Sequence, residues 1–147
     1  MKLLIAFHAG LGLLLLVLGV VALVGRKSRL GRHPLVGAAY FWVLAVVLAT
    51  AMLIGRRHAG WSMFEIMTPP TFALGLLGYL MGRLRPANWL RWHITGMSGS
   101  FIGVVTALGF QFLPARLAVY WWVLPTVVGT VLITRAQKRY VVKRHAA

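Results

Sequence analysis

Residues 3–24 read LLIAFHAGLGLLLLVLGVVALV. As a helix this run would rise about 33 Å, enough to cross a hydrocarbon core of about 30 Å. Its single ionisable residue is His8. The run is too long for the core of a signal peptide, and its basic residues, Arg26 and Lys27, follow it instead of preceding it. It therefore reads as a transmembrane helix, and the rest of the chain is read outward from it.

Four further stretches have the same character, at residues 35–54, 68–84, 89–113 and 117–134. The third is the shortest. Thr68-Pro69-Pro70 predicts its start, with Thr68 as cap and Pro69 in the first turn, where a missing N–H costs nothing. The expected fold is an all-α polytopic membrane bundle of five transmembrane helices. Residues 1–134 form one bundle domain and residues 135–147 a basic cytoplasmic tail. Composition agrees: the chain is 60% hydrophobic and only 12% charged, with a mean hydropathy of +0.82. A soluble chain of this kind would expose apolar patches large enough to aggregate.

Sixteen Lys and Arg stand against one acid, Glu65. The basic residues cluster between the apolar runs, the pattern that orients a membrane protein, so no nucleic-acid partner is expected. With the N-terminus outside, Arg26, Lys27, Arg29 and Arg32 fall on the inner side. So do Arg83, Arg85 and Arg91, and then Arg135, Lys138, Arg139, Lys143 and Arg144. Only Lys2, Arg56, Arg57 and Arg116 fall outside. Four spans would put a basic loop and the basic tail on opposite faces. Five spans, N-terminus out and C-terminus in, keep them together.

Trp61, Trp89, Trp92, Trp121 and Trp122 lie near span ends, where an indole keeps its body in lipid and its N–H in the interface. Trp42 lies deeper and is expected to pack inside the bundle. Arg135, Lys138, Arg139 and Lys143 fall on one helical stripe, suited to anionic lipid headgroups; an acidic partner protein is the alternative. Gly99 and Gly103 on span four, and Gly78 and Gly82 on span three, form G-x-x-x-G pairs, and Gly12 and Gly19 share a face of span one. Helices associate in lipid through such small residues. The sharper reading is that some of these glycines clear space for a flat cofactor.

Five histidines accompany the single acid. His145 is in the tail. His8 lies within span one, where an ionisable group is costly and points to function. His33 opens span two, His58 lies in the loop after it, and His93 begins span four, on a face continuing through Gly96, Ser100, Gly103 and Ala107. A b-type haem needs inward imidazoles with small residues beside them. His33 with His93 would make an inner pair, and His8 with His58 an outer one. The plainer reading is that the loop histidines are interface residues and the helical ones hydrogen-bond a neighbouring carbonyl or hydroxyl.

Other chemistry is missing. The absence of cysteine removes disulfides, thiolate metal sites and haem attached through C-x-x-C-H. No metal beyond haem iron is expected with one carboxylate available. None of the five expected spans contains a carboxylate, as proton- and cation-coupled transporters usually do. Carboxylate-pair hydrolysis and a Ser-His-Asp triad lack an acid. Ser98 and Ser100 share a helix with His93, but a small-residue packing face accounts for them. No catalytic residues are assigned.

Several short motifs recur in a known order. They are Phe7-His8 with Gly12 and Gly19, then Gly25-Arg26-Lys27 leading to Arg32-His33, Gly37 and Tyr40-Phe41. The strongest are Trp89-Leu90-Arg91-Trp92-His93-Ile94 through Met97, Gly99-Ser100 and Thr106-Ala107. On these the chain resembles a group of bacterial predicted membrane proteins, domain-of-unknown-function family 2306, over about residues 5–110. The resemblance implies a helical bundle of the bacterial inner membrane in which the positions of His8, His33 and His93 recur. It implies no assigned activity, and His58 matches no family position. More loosely, the pattern is similar to transmembrane b-type cytochromes, an analogy at the level of fold.

Three function classes remain. A haem-binding electron-transfer module would be coloured. A non-catalytic membrane subunit or scaffold would be colourless and associate through its glycine faces with another subunit or a second copy. A small transporter for a neutral or anionic solute would need a continuous polar path. For that the spans offer only Thr50, Thr95, Ser98, Ser100, Thr106, Thr126 and Thr130.

Overall fold

A computed structural model describes residues 2–25, 31–56, 63–112 and 114–142. All regular structure among them is helical: α1 (Lys2–Val24), α2 (His33–Gly55), α3 (Met63–Leu84), α4 (Trp89–Phe112) and α5 (Ala118–Gln137). A short 3₁₀ turn, Ala115–Leu117, precedes α5, and a π-helical turn, Lys138–Val142, follows it. Among the described residues four segments are long and apolar enough to cross a membrane, Lys2–Val24, His33–Gly55, Trp89–Phe112 and Val119–Val141; α3 is not one of them.

α3 begins five residues earlier than Thr68-Pro69-Pro70 predicts. Both prolines lie inside it, so Thr68 is not its cap. A proline withholds its N–H from the carbonyl four residues back, which here frees the carbonyls of Glu65 and Ile66. A membrane helix tolerates this where neighbours or water take up the freed groups. Glu65 meanwhile occupies the first turn of α3, where the positive end of the helix dipole favours a carboxylate. Glu65 is buried and lies within a helix that was expected to be free of acids.

The chain divides into two compact units, Met1–Phe72 and Ala73–Ala147, with the division inside α3. In the first, α1 and α2 pack together around Leu15, Tyr40 and Leu44, all essentially inaccessible. Phe41 adds a ring contact with Phe72 of α3, centroids 6.2 Å apart. Trp42 is 60% exposed and touches Phe41 edge-on. It therefore points outward, contrary to its expected place inside the bundle. Tyr40 and Phe41 take the inner face of α2 instead.

In the second unit α4 and α5 pack together, and the C-terminal part of α3 lies against α4. The turn between α3 and α4 uses two left-handed residues, Arg85 (φ 51°) and Asn88 (φ 58°). The Arg85 N–H closes α3 on the Met81 carbonyl at 3.1 Å, the usual way a left-handed residue ends a helix. The helical path of α5 does not stop at residue 134. It runs through Arg135 to Gln137 and on into the π turn, so Arg135, Lys138 and Arg139 sit on helical backbone. Lys143 lies outside the described residues.

Candidate functional site

Glycines decide where α3 and α4 meet. A Cβ added at Gly78 would collide with the backbone of Gly96 and Met97, and one at Gly96 with Gly78 and the Leu74 carbonyl. Two helices thus touch backbone to backbone, which only glycine allows. Gly99 receives the Leu74 side chain, 3.1 Å from where a Cβ would lie. One turn beyond Gly78, a Cβ at Gly82 would lie 2.8 Å from Nδ1 of His93, so the imidazole occupies that notch.

His93 Nδ1 is 2.7 Å from the Gly78 carbonyl oxygen. A carbonyl can only accept, so Nδ1 carries the proton. In the neutral ring Nε2 then holds the lone pair. Trp89, one turn back on α4, has its ring centroid 6.1 Å from that of His93.

His8 is held similarly in the other unit. Its Nδ1 is 2.8 Å from Thr50 Oγ1 on α2. The Thr50 hydroxyl reaches its own helix at the carbonyls of Val46, 3.0 Å, and Val47, 2.8 Å. With its one proton directed there, Thr50 accepts from His8 Nδ1–H, again leaving the lone pair on Nε2. Along the same face Leu15 and Gly19 are buried. Gly12 differs: a Cβ there meets nothing within 4 Å, so Gly12 opens no close approach among the described residues. It leaves open space one turn from His8.

His33 starts α2, followed by Pro34 in the first turn, and its Nδ1 is enclosed. It belongs to the first unit with His8, but α2 separates it from Thr50 by seventeen residues, about 26 Å of helix. His33 and His8 therefore stand at opposite ends of α2. His93 belongs to the second unit. His58 and His145 lie outside the described residues. Among the described residues no group of three or more His, Asp or Glu could hold a metal ion.

The polar residues of the spans turn mostly onto their own helices. Thr95 donates to the Arg91 carbonyl, Ser100 to Met97, Thr106 to Ile102 and Thr126 to Trp122. Such back-bonding satisfies a hydroxyl in an apolar surrounding. It spends the groups that a solute path would need, and it turns Ser100 toward its own backbone.

Two contacts between α4 and α5 escape a reading of the sequence. Trp121 Nε1–H donates to the Thr106 carbonyl at 3.2 Å, and its indole fills the space that a Cβ of Gly109 would need. Trp121 thus joins two helices. Gln137 Nε2 donates to Thr95 Oγ1 at 2.7 Å. A lone Gln ending an apolar run is the one available signal.

No family model, curated protein or solved structure matches this chain.

Proposed function

We propose that this chain is a multi-pass protein of the bacterial cytoplasmic membrane, with five spans, N-terminus out and C-terminus in, whose histidines hold b-type haem for electron transfer. Three of its helix ends gather twelve of the sixteen basic residues on one side in this topology. α3, at 22 residues, is about 33 Å long, the length a span needs, although it is not among the four segments that are both long and apolar enough to cross. The resemblance to bacterial predicted membrane proteins supports the choice of membrane.

The observation that carries the haem reading is shared by His8 and His93. In each, Nδ1 lies within hydrogen-bond distance of a protein oxygen, and the tautomer protonated there leaves the lone pair on Nε2. Imidazoles that bind metals are oriented this way, by a hydrogen bond from the other ring nitrogen. The residues fit the group in a second respect, since the turn beside His8 is left open at Gly12. His8 and His93 are thus the first candidates for axial ligands, with His33 and His58 after them. A bound haem would supply one-electron transfer at a potential set by these ligands and their surroundings. The protein's part is to fix each ring and exclude water through the apolar helices.

The test is an absorption spectrum of the detergent-purified protein from haem-replete cells, before and after dithionite. A Soret band that shifts on reduction, and that weakens in His8→Ala or His93→Ala, is expected. A colourless wild-type protein would overturn the haem reading. The second reading, a non-catalytic subunit or scaffold, would then lead; Gly78 and Gly96 are already spent on contact within the chain, and Gly12, which faces open space, is left for a partner helix.

A further inference from the structure

The turn between α3 and α4 borders a groove of about 370 Å³, lined by Arg85, Asn88, Trp89, Arg91 and, from the π turn after α5, Val141. This volume is at the small end of ligand-binding clefts. Arg85 and Arg91 are exposed, and the Arg85 guanidinium lies 5.3 Å over the Trp89 ring. Arg85 also donates from Nε to the Gly82 carbonyl at 3.4 Å, and Arg83 donates from Nε to the Tyr79 hydroxyl at 3.2 Å. Residues 73–147 contain no Asp or Glu at all. The groove arginines therefore have no carboxylate side chain within their own unit. An anion bound there would be a molecule other than this unit.

The position of the groove says what that anion is. It opens at the first residues of α4, an apolar helix long enough to cross a membrane, beside Trp89, whose amphipathic ring suits headgroup depth. We propose that this groove seats the phosphodiester of an anionic phospholipid, with Arg85 and Arg91 pairing the phosphate and Trp89 and Val141 meeting the upper acyl chains. Arginine suits the role because its planar fork binds two phosphate oxygens at once. The site uses none of the basic residues of the tail stripe, although Val141 belongs to the same turn as Lys138 and Arg139. It rests on the reading of the chain as a membrane protein, which resistance to carbonate extraction tests independently.

The experiment is native mass spectrometry of the full chain released from micelles containing equal amounts of phosphatidylglycerol and phosphatidylcholine. The wild type is expected to retain phosphatidylglycerol in preference, and excess inorganic phosphate is expected not to displace it. Arg85→Gln with Arg91→Gln should weaken retention about thirtyfold, from two lost charges near the surface. Lys2→Gln with Arg116→Gln removes the same charge elsewhere and should leave retention intact. Equal retention of the two lipids by the wild type would overturn the proposal even if the variant fails to fold. So would displacement by free phosphate, or unchanged retention in the Arg85/Arg91 variant.

Discussion

The α1–α2 hairpin and the α3–α4 contact solve one problem in different ways. α1 and α2 pack together with large side chains, Leu15, Tyr40 and Leu44, buried and with the His8–Thr50 hydrogen bond as their polar link. α3 and α4 meet through absent side chains, Gly78 on Gly96, with His93 pressed into the notch at Gly82. In lipid no hydrophobic force draws helices together, so packing and hydrogen bonds must do it. A close backbone contact leaves no slack for an added carbon. Side-chain packing can shift to accommodate a change.

The largest expected effect is therefore at the glycine contact. Gly78→Val should cost about 3 kcal/mol or more, since backbone stands where the new side chain must go. Thermal unfolding in detergent, followed by tryptophan fluorescence, measures it. Tolerance of valine at residue 78 would break the comparison. His93→Ala comes next, at about 2 kcal/mol, from one lost hydrogen bond and the emptied notch. On the hairpin, Thr50→Val keeps the shape and removes the acceptor of His8, at about 1 kcal/mol. A Thr50→Val cost as large as that of Gly78→Val would mean the hairpin depends on its polar link and not on its core. The smallest effect is at Gly12, which faces open space. There alanine should be neutral or stabilising by about 0.5 kcal/mol through helix propensity.

The sequence makes most of the fold legible because a span announces itself by length and apolarity alone. α1, α2 and α4 start and end within about two residues of the expected bounds. The start of α3 differs from its expected place because Pro69-Pro70 is also a good helix opening, and only the surrounding structure decides whether freed carbonyls are tolerable. Past the apolar run of α5, the spacing of Arg135, Lys138 and Arg139 predicts a helical stripe, and the backbone there is helical, since Lys and Arg are good helix formers.

The site was legible only in part. His8 and His93 stand out as ionisable groups in apolar runs. Their partners do not, because Thr50 and Gly78 are 42 and 15 residues away and the register between two helices is not written in either one. The same limit hides Trp121, whose indole suits an interface as well as it suits a notch at Gly109. Trp42 failed for a related reason: depth along a helix does not tell which face a residue takes.

The most direct test of the five-span account uses the absence of cysteine. Single cysteines at Ser62 and Ala87 flank α3 and can be labelled with a membrane-impermeant maleimide in intact cells. The account predicts that Ser62→Cys reacts from outside and that Ala87→Cys reacts only after permeabilisation. Labelling of both from the same side would mean that α3 does not cross, and would contradict it.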